Sequence, residues 1–75
     1  MDTFIKVQKV IAEQLGVDPG IVRPETNIFR DLKADSLDHI ELSMALEEEF
    51  GIVIDDAEAD KLITVQDYVT LIDNA

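Results

Sequence analysis

The 75 residues contain no cysteine and no tryptophan, only two prolines, three glycines, one tyrosine and one histidine. Without cysteine there can be neither a disulfide framework nor a thiolate metal site. One imidazole cannot assemble a structural zinc site either. No apolar run exceeds three residues, as in Ile52, Val53 and Ile54, far short of the roughly 20 that span a bilayer. Met1 leads straight into an amphipathic pattern, with neither the basic start nor the apolar centre of a signal peptide. A cytoplasmic protein is the expectation. Basic residues are scarce as well: six Lys and Arg face 17 Asp and Glu, for a net charge of −11.

The distribution of that charge says more than its size. Residues 1–33 hold five acids and five bases and sum to zero, whereas residues 34–60 hold ten acids and no Lys or Arg. Residues 61–75 add Lys61, Asp67 and Asp73. A field concentrated in one block repels nucleic acid and anionic membranes and steers basic protein surfaces toward it. An acidic face that only keeps a small protein soluble is the plainer reading. Confinement to one block favours a docking surface.

The length fits one domain, 1–75, which buries only about 60% of its unfolded surface. Phe4, Val7, Ile11 and Leu15 recur at helical spacing, with Asp2 as a cap, Ile5 and Val10 widening the stripe, and Gly16 as the stop. Residues 17–35 carry Pro19, Gly20 and Pro24 and read as a long loop. Six apolar residues within it (Val17, Ile21, Val22, Ile28, Phe29, Leu32) predict that it lies across the bundle and seals one end of the core. Thr26 is expected to open a short helical turn through Phe29. A second helix is predicted from Ser36 to Phe50, stopped by Gly51. A brief third should run from Asp56 to Leu62, capped by Asp56. The last opens at the Thr64–Asp67 capping box and buries Val65, Tyr68, Val69 and Ile72, with Leu71 adjacent. No strand pattern competes. The fold class is all-α: a small antiparallel bundle of three main helices and one short one, with a long loop between the first two.

Helix two carries two opposed apolar faces. Placed at about 100° per residue, Leu42, Leu46 and Phe50 share one side, with His39 and Ser43 close by. Leu37, Ile40 and Met44 fall almost opposite, among Glu41, Glu47 and Glu48. One helix in a small bundle cannot bury both, so the second strip is predicted to stay exposed as an interaction surface.

Three chemistries compete for the head of that helix. Ser36 and His39, three apart, could touch, but a nucleophilic enzyme also needs an orienting acid, an oxyanion hole and a cleft; catalysis is not expected. Asp56, Glu58, Asp60 and Asp67 occupy positions 1, 3, 5 and 12 of a calcium loop, yet Lys61 stands where a glycine must turn the chain. A dedicated metal site is not expected. Lastly, Asp35 or Ser36 could be a plain helix cap.

The run Asp31-Leu32-Lys33-Ala34-Asp35-Ser36-Leu37-Asp38, continuing through Glu41-Leu42 and Met44-Ala45-Leu46-Glu47-Glu48-Glu49-Phe50, closely resembles the acyl carrier protein family of the bacterial type II kind. Glu13-Gln14-Leu15-Gly16-Val17 and Thr64-Val65-Gln66-Asp67 extend the likeness over nearly the whole chain. The resemblance implies that Ser36 is esterified by the 4′-phosphopantetheine of coenzyme A, whose terminal thiol holds acyl intermediates of fatty-acid or polyketide synthesis as thioesters. It implies a monomeric, non-catalytic carrier, itself a substrate of a phosphopantetheinyl transferase (holo-carrier synthase) and of acyl-transferring and chain-elongating enzymes with basic docking surfaces. Asp35, Leu37, Asp38, Ile40, Glu41, Met44, Glu47 and Glu48 look like the face such enzymes read. Asp35 and Asp38 are expected to serve recognition and not stability. Phe29, Leu46, Ile54, Ala59, Leu62, Tyr68 and Leu71 resemble the wall of an acyl-sheltering cavity.

The chain departs from the family where Lys33 replaces a usual glycine, at a cost of about 1–2 kcal/mol if positive φ is required. It departs again at Ser43, where a bulkier apolar residue is common, which implies a roomier or more polar cavity rim. Peptidyl carriers, the nearest alternative, typically lack an acid at Asp35. An unmodified adaptor is the third reading.

Overall fold

The computed structural model describes residues 2–75, the side chain of Asp2 excepted. The cap expected of Asp2 therefore falls outside the described residues. Four α-helices follow one another: α1, Asp2–Leu15; α2, Ser36–Phe50; α3, Asp56–Ala59; and α4, Val65–Asp73. α1 lies at the centre and packs against both α2 and α4. Its stripe of Val7 and Ile11, fully buried, meets Leu42 and Leu46 of α2 and Val65 and Tyr68 of α4 in one core. Ile5 does not join that stripe; its side chain stands in solvent.

Start and stop signals place the helix ends. Gly16 and Gly51 adopt φ of +69° and +65° at the ends of α1 and α2, where any other residue would press Cβ against the backbone. α2, α3 and α4 each open with a reciprocal capping box, built on Asp35–Asp38, Asp55–Glu58 and Thr64–Asp67. The Thr64 box fulfils the sequence expectation. Asp55, not Asp56, caps α3, because Asp55 takes the extended backbone that aims its carboxylate at the Glu58 N–H. α3 is also shorter than predicted, giving way at Ala59 to a turn that ends in buried Leu62.

The long loop does seal the core. Val22 and Ile28 are wholly buried, although Ile21 and Phe29 are exposed. Pro19–Ile21 forms a single 3₁₀ turn capped by Asp18, and the Gln8 side chain donates to the carbonyls of Pro19 and Val22, fastening this turn to α1. Farther on, the backbone is tied to the approach to α4: Ile28 N–H donates to Ile63, Val65 N–H to Thr26 and Gln66 N–H to Pro24. Asn27 and Thr64 meet there in an isolated antiparallel bridge. The helical turn expected from Thr26 is instead begun by Asn27, whose carboxamide oxygen accepts from the N–H groups of Phe29 and Arg30. Thr26 is buried, accepting from the Arg23 N–H and donating to the Ile21 carbonyl.

Candidate functional site

α2 begins with a residue that is not its cap. Asp35 holds φ −101°, ψ −175° and accepts the Asp38 N–H at 2.8 Å, while the Asp38 carboxylate accepts the Asp35 N–H at 3.1 Å. Ser36 is thereby the first helical residue, exposed, with its hydroxyl released from capping. The expectation that Asp35 and Asp38 carry no stabilising role is corrected: each satisfies a backbone donor that the helix leaves open. Asp35→Ala should cost about 1 kcal/mol, visible as a lower urea midpoint. An unchanged midpoint would return Asp35 to recognition alone.

Lys33 shapes the approach. Its φ is +62°, the one positive φ among the described non-glycine residues, so the strain anticipated at this position is present. The bend turns buried Ala34 inward, where its N–H donates to the Ile28 carbonyl at 3.0 Å. Lys33 also adds to the attraction that holds the Asp31 carboxyl below its usual range, after the Asn27 N–H and the Arg30 side chain. Lys33→Gly removes strain of about 1–2 kcal/mol but returns roughly 0.5–1 kcal/mol of chain entropy. The expected outcome is a gain of about 0.5 kcal/mol, raising the melting temperature by about 2–4 °C. A lower one would mean that the lysine side chain outweighs its backbone cost.

Downstream of Ser36 the surface opens into two adjoining clefts. The first, about 280 Å³, is lined by Phe29, Ser36, His39, Ile40 and Asp60. The second, about 680 Å³, lies between α2 and α3 and is lined by His39, Ile40, Ser43, Met44, Glu47, Ile54, Asp56, Ala59 and Asp60. Because His39, Ile40 and Asp60 border both, the serine stands at one end of a continuous trough.

His39 forms the trough's inner wall. Nε2 lies 2.9 Å from the Ala59 carbonyl and Nδ1 lies 2.8 Å from the Tyr68 hydroxyl. A carbonyl has no proton to give, so Nε2–H donates to it and, in the neutral ring, Nδ1 accepts from the tyrosine. One side chain thus joins α2, α3 and α4. The Phe29 ring packs against it at 5.4 Å between centroids.

The residues expected around an acyl cavity part company here. Ile54 and Ala59 line the α2–α3 cleft, and Phe29 lines the mouth beside Ser36 in place of the buried position foreseen for it. Leu62 and Leu71 face a separate cleft between α3 and α4, with Lys61, Asp67 and Thr70. Leu46 and Tyr68 line none of these openings and are wholly buried core. On the outer face, Leu37, Ile40 and Met44 are 62%, 55% and 61% exposed, as the opposed stripes of α2 require. Glu41 and Glu48 are exposed beside them. Glu47 is partly withdrawn: its Oε2 accepts the Ile54 N–H at 2.7 Å and anchors the connector to α3. Only its position, a carboxylate shortly before the Gly51 stop, hinted at this. Asp56, Glu58, Asp60 and Asp67 do not converge on a cation, and among the described residues no cluster of three metal-ligating side chains is found.

Residues 6–72 match the family described as phosphopantetheine attachment site. The chain is 54% identical over 74 residues to an acyl carrier protein of Campylobacter hominis, covering 99% of this chain and 94% of that one. The chain belongs to the acyl carrier protein family. An acyl carrier protein of Thermosynechococcus vestitus is 58% identical over 69 residues, covering 92% of this chain and 85% of the relative. One from Helicobacter hepaticus is 55% identical over 73 residues, covering 97% and 96%. Acyl carrier proteins present a cargo and leave its chemistry to other proteins. The residues around Ser36 fit a phosphopantetheine group in chemical terms: an exposed primary hydroxyl, free of capping duty, on the positive end of a 15-residue helix. A phosphodiester placed there gains about 0.3–1 kcal/mol from the helix dipole.

Proposed function

We propose that Ser36 is the attachment point of the 4′-phosphopantetheine arm and that this chain carries acyl groups on it for fatty-acid or related acyl synthesis in the cytoplasm. The observation that carries the reading is the division of labour between Asp35, which caps α2, and Ser36, which is left exposed. The chain has two serines, and the other, Ser43, is buried. In loading, Ser36 Oγ gives its proton to the transferase and bonds to the phosphopantetheine phosphorus of coenzyme A, as the anhydride bond to the departing nucleotide breaks. The bound arm supplies a thiol that holds the acyl group as a thioester. The protein's own part is to hold the arm's root stiff, offer the trough beside it, and present a readable face.

That face is the exposed strip of Leu37, Ile40 and Met44, rimmed by Asp35, Asp38, Glu41 and Glu48. Apolar side chains within an acidic rim suit a monomeric carrier that docks on basic enzymes and releases them, since charge complementarity chiefly raises association rate and specificity. No described helix is long and apolar enough to cross a membrane.

The test is intact mass after incubation with coenzyme A and a broad-range phosphopantetheinyl transferase, followed by peptide mapping. The expected result is a gain of one phosphopantetheine on the peptide containing Ser36. A folded protein that gains nothing beside a working control carrier would favour the unmodified adaptor.

A further inference from the structure

Ser43 is 8% exposed, and its Oγ is buried without a hydrogen-bond partner among the described residues. A serine inside a helix commonly bonds the carbonyl one turn back; this one does not. Of its polar neighbours inside the α2–α3 cleft, His39 is fully engaged and Glu47 has one oxygen engaged. Both His39 nitrogens are taken, by Ala59 and Tyr68, and Glu47 Oε2 holds the Ile54 N–H. Asp56 and Asp60 are exposed at the rim. The remaining lining, Ile40, Met44, Ile54 and Ala59, is apolar. The cleft is therefore an apolar slot with carboxylates toward its rim and one unanswered hydroxyl set just behind its wall, within reach of a chain that parts the lining. It joins the opening at Ser36 through His39, Ile40 and Asp60.

We propose that Ser43 makes this cleft selective for acyl chains bearing a hydroxyl or keto oxygen, with Ser43 Oγ as the hydrogen-bond partner of that oxygen. The inference rests on Ser36 being the attachment point. A saturated chain entering the slot leaves the serine hydroxyl unsatisfied, whereas an oxygenated chain of equal length pairs with it and brings its own polar atom out of water without loss. A valine at 43 would reverse the preference by offering only methyl groups.

The test loads the protein with amide-linked octanoyl, 3-hydroxyoctanoyl and 5-hydroxyoctanoyl arms, and with the bare arm, confirming each load by intact mass. Melting temperatures are then compared in wild type and Ser43→Val. In wild type, at least one hydroxylated cargo should melt about 4–8 °C above octanoyl, the displacement of one satisfied hydrogen bond in a domain of this size. In Ser43→Val that excess should vanish or change sign. Equal melting of all three cargoes in wild type would overturn the proposal, as would an excess that survives Ser43→Val. So would a Ser43-dependent shift of the same size with the bare arm, which would assign the hydroxyl to the arm's amides. Failure to load at all would appear in the mass spectrum and would count against Ser36 instead.

Discussion

Ser36→Ala is expected to abolish phosphopantetheine loading while leaving the bundle folded and at least as stable. Many serines at helix starts are caps, and replacing one typically loses about 1 kcal/mol. Here the cap is Asp35, whose carboxylate and backbone both bond Asp38, so the substitution removes only an exposed hydroxyl. Alanine is the better helix former by a few tenths of a kcal/mol, which should hold the urea midpoint level or raise it slightly. Intact mass and a urea curve on the same sample separate the two readouts. Lost loading with an unmoved midpoint assigns Ser36 a purely chemical role. Continued loading would place the attachment elsewhere, and lost loading with a collapsed midpoint would show that the serine supports the helix after all. Asp35→Ala is the complementary variant: it weakens the helix but keeps the hydroxyl.

The contrast between these neighbours shows where sequence reasoning stops. Both aspartate and serine are good caps, and their order along the chain does not say which takes the extended backbone. The same ambiguity misplaced the cap of α3 by one residue, between Asp55 and Asp56. The limits of α2, by comparison, were plain, because an Asp-Ser pair opens it and a glycine closes it after a long unbroken helical pattern. Its two apolar faces were equally legible, since a small bundle has room to bury only one. The loop was harder. Its apolar residues announced a packed segment, but the bonds that fix it run from backbone to backbone near Ile63 and Val65 and leave no mark on residue type. Phe29 has the chemistry of a core residue and sits at the mouth of the trough, since apolarity does not specify direction. Leu46 and Tyr68 could have lined a cavity on composition alone. Helix spacing says only that they face inward, and both are wholly buried in the core between the helices.

Tyr68→Phe is expected to destabilise the protein by about 1–3 kcal/mol, because it removes one oxygen from the His39 link that ties α2, α3 and α4 through a single side chain. The loss is large against a total near 4–11 kcal/mol for a 75-residue domain. Without the hydroxyl, His39 Nδ1 has no donor opposite it, while Nε2 still holds Ala59. The same bond makes a pH-dependent prediction. Burial first, and the Asp67 carboxylate second, push the Tyr68 hydroxyl well above its ordinary value of 10.0. Folding therefore favours the protonated phenol, and the unfolded chain releases that proton first. Its contribution to stability is complete below pH 10 and declines above it, by up to about 1.4 kcal/mol per pH unit. Wild type should lose stability more steeply than Tyr68→Phe between pH 10 and 11, so that the gap between their urea midpoints narrows. Tyr68 is the one tyrosine and there is no tryptophan, so its phenolate absorbance can be followed directly in the folded protein. A gap that stays constant, or a phenolate that forms near pH 10 before unfolding, would show that the hydroxyl is open to solvent. In that case the tie from α2 to α4 through His39 would give way more easily than the bonded geometry implies, while the bond to Ala59 of α3 would remain.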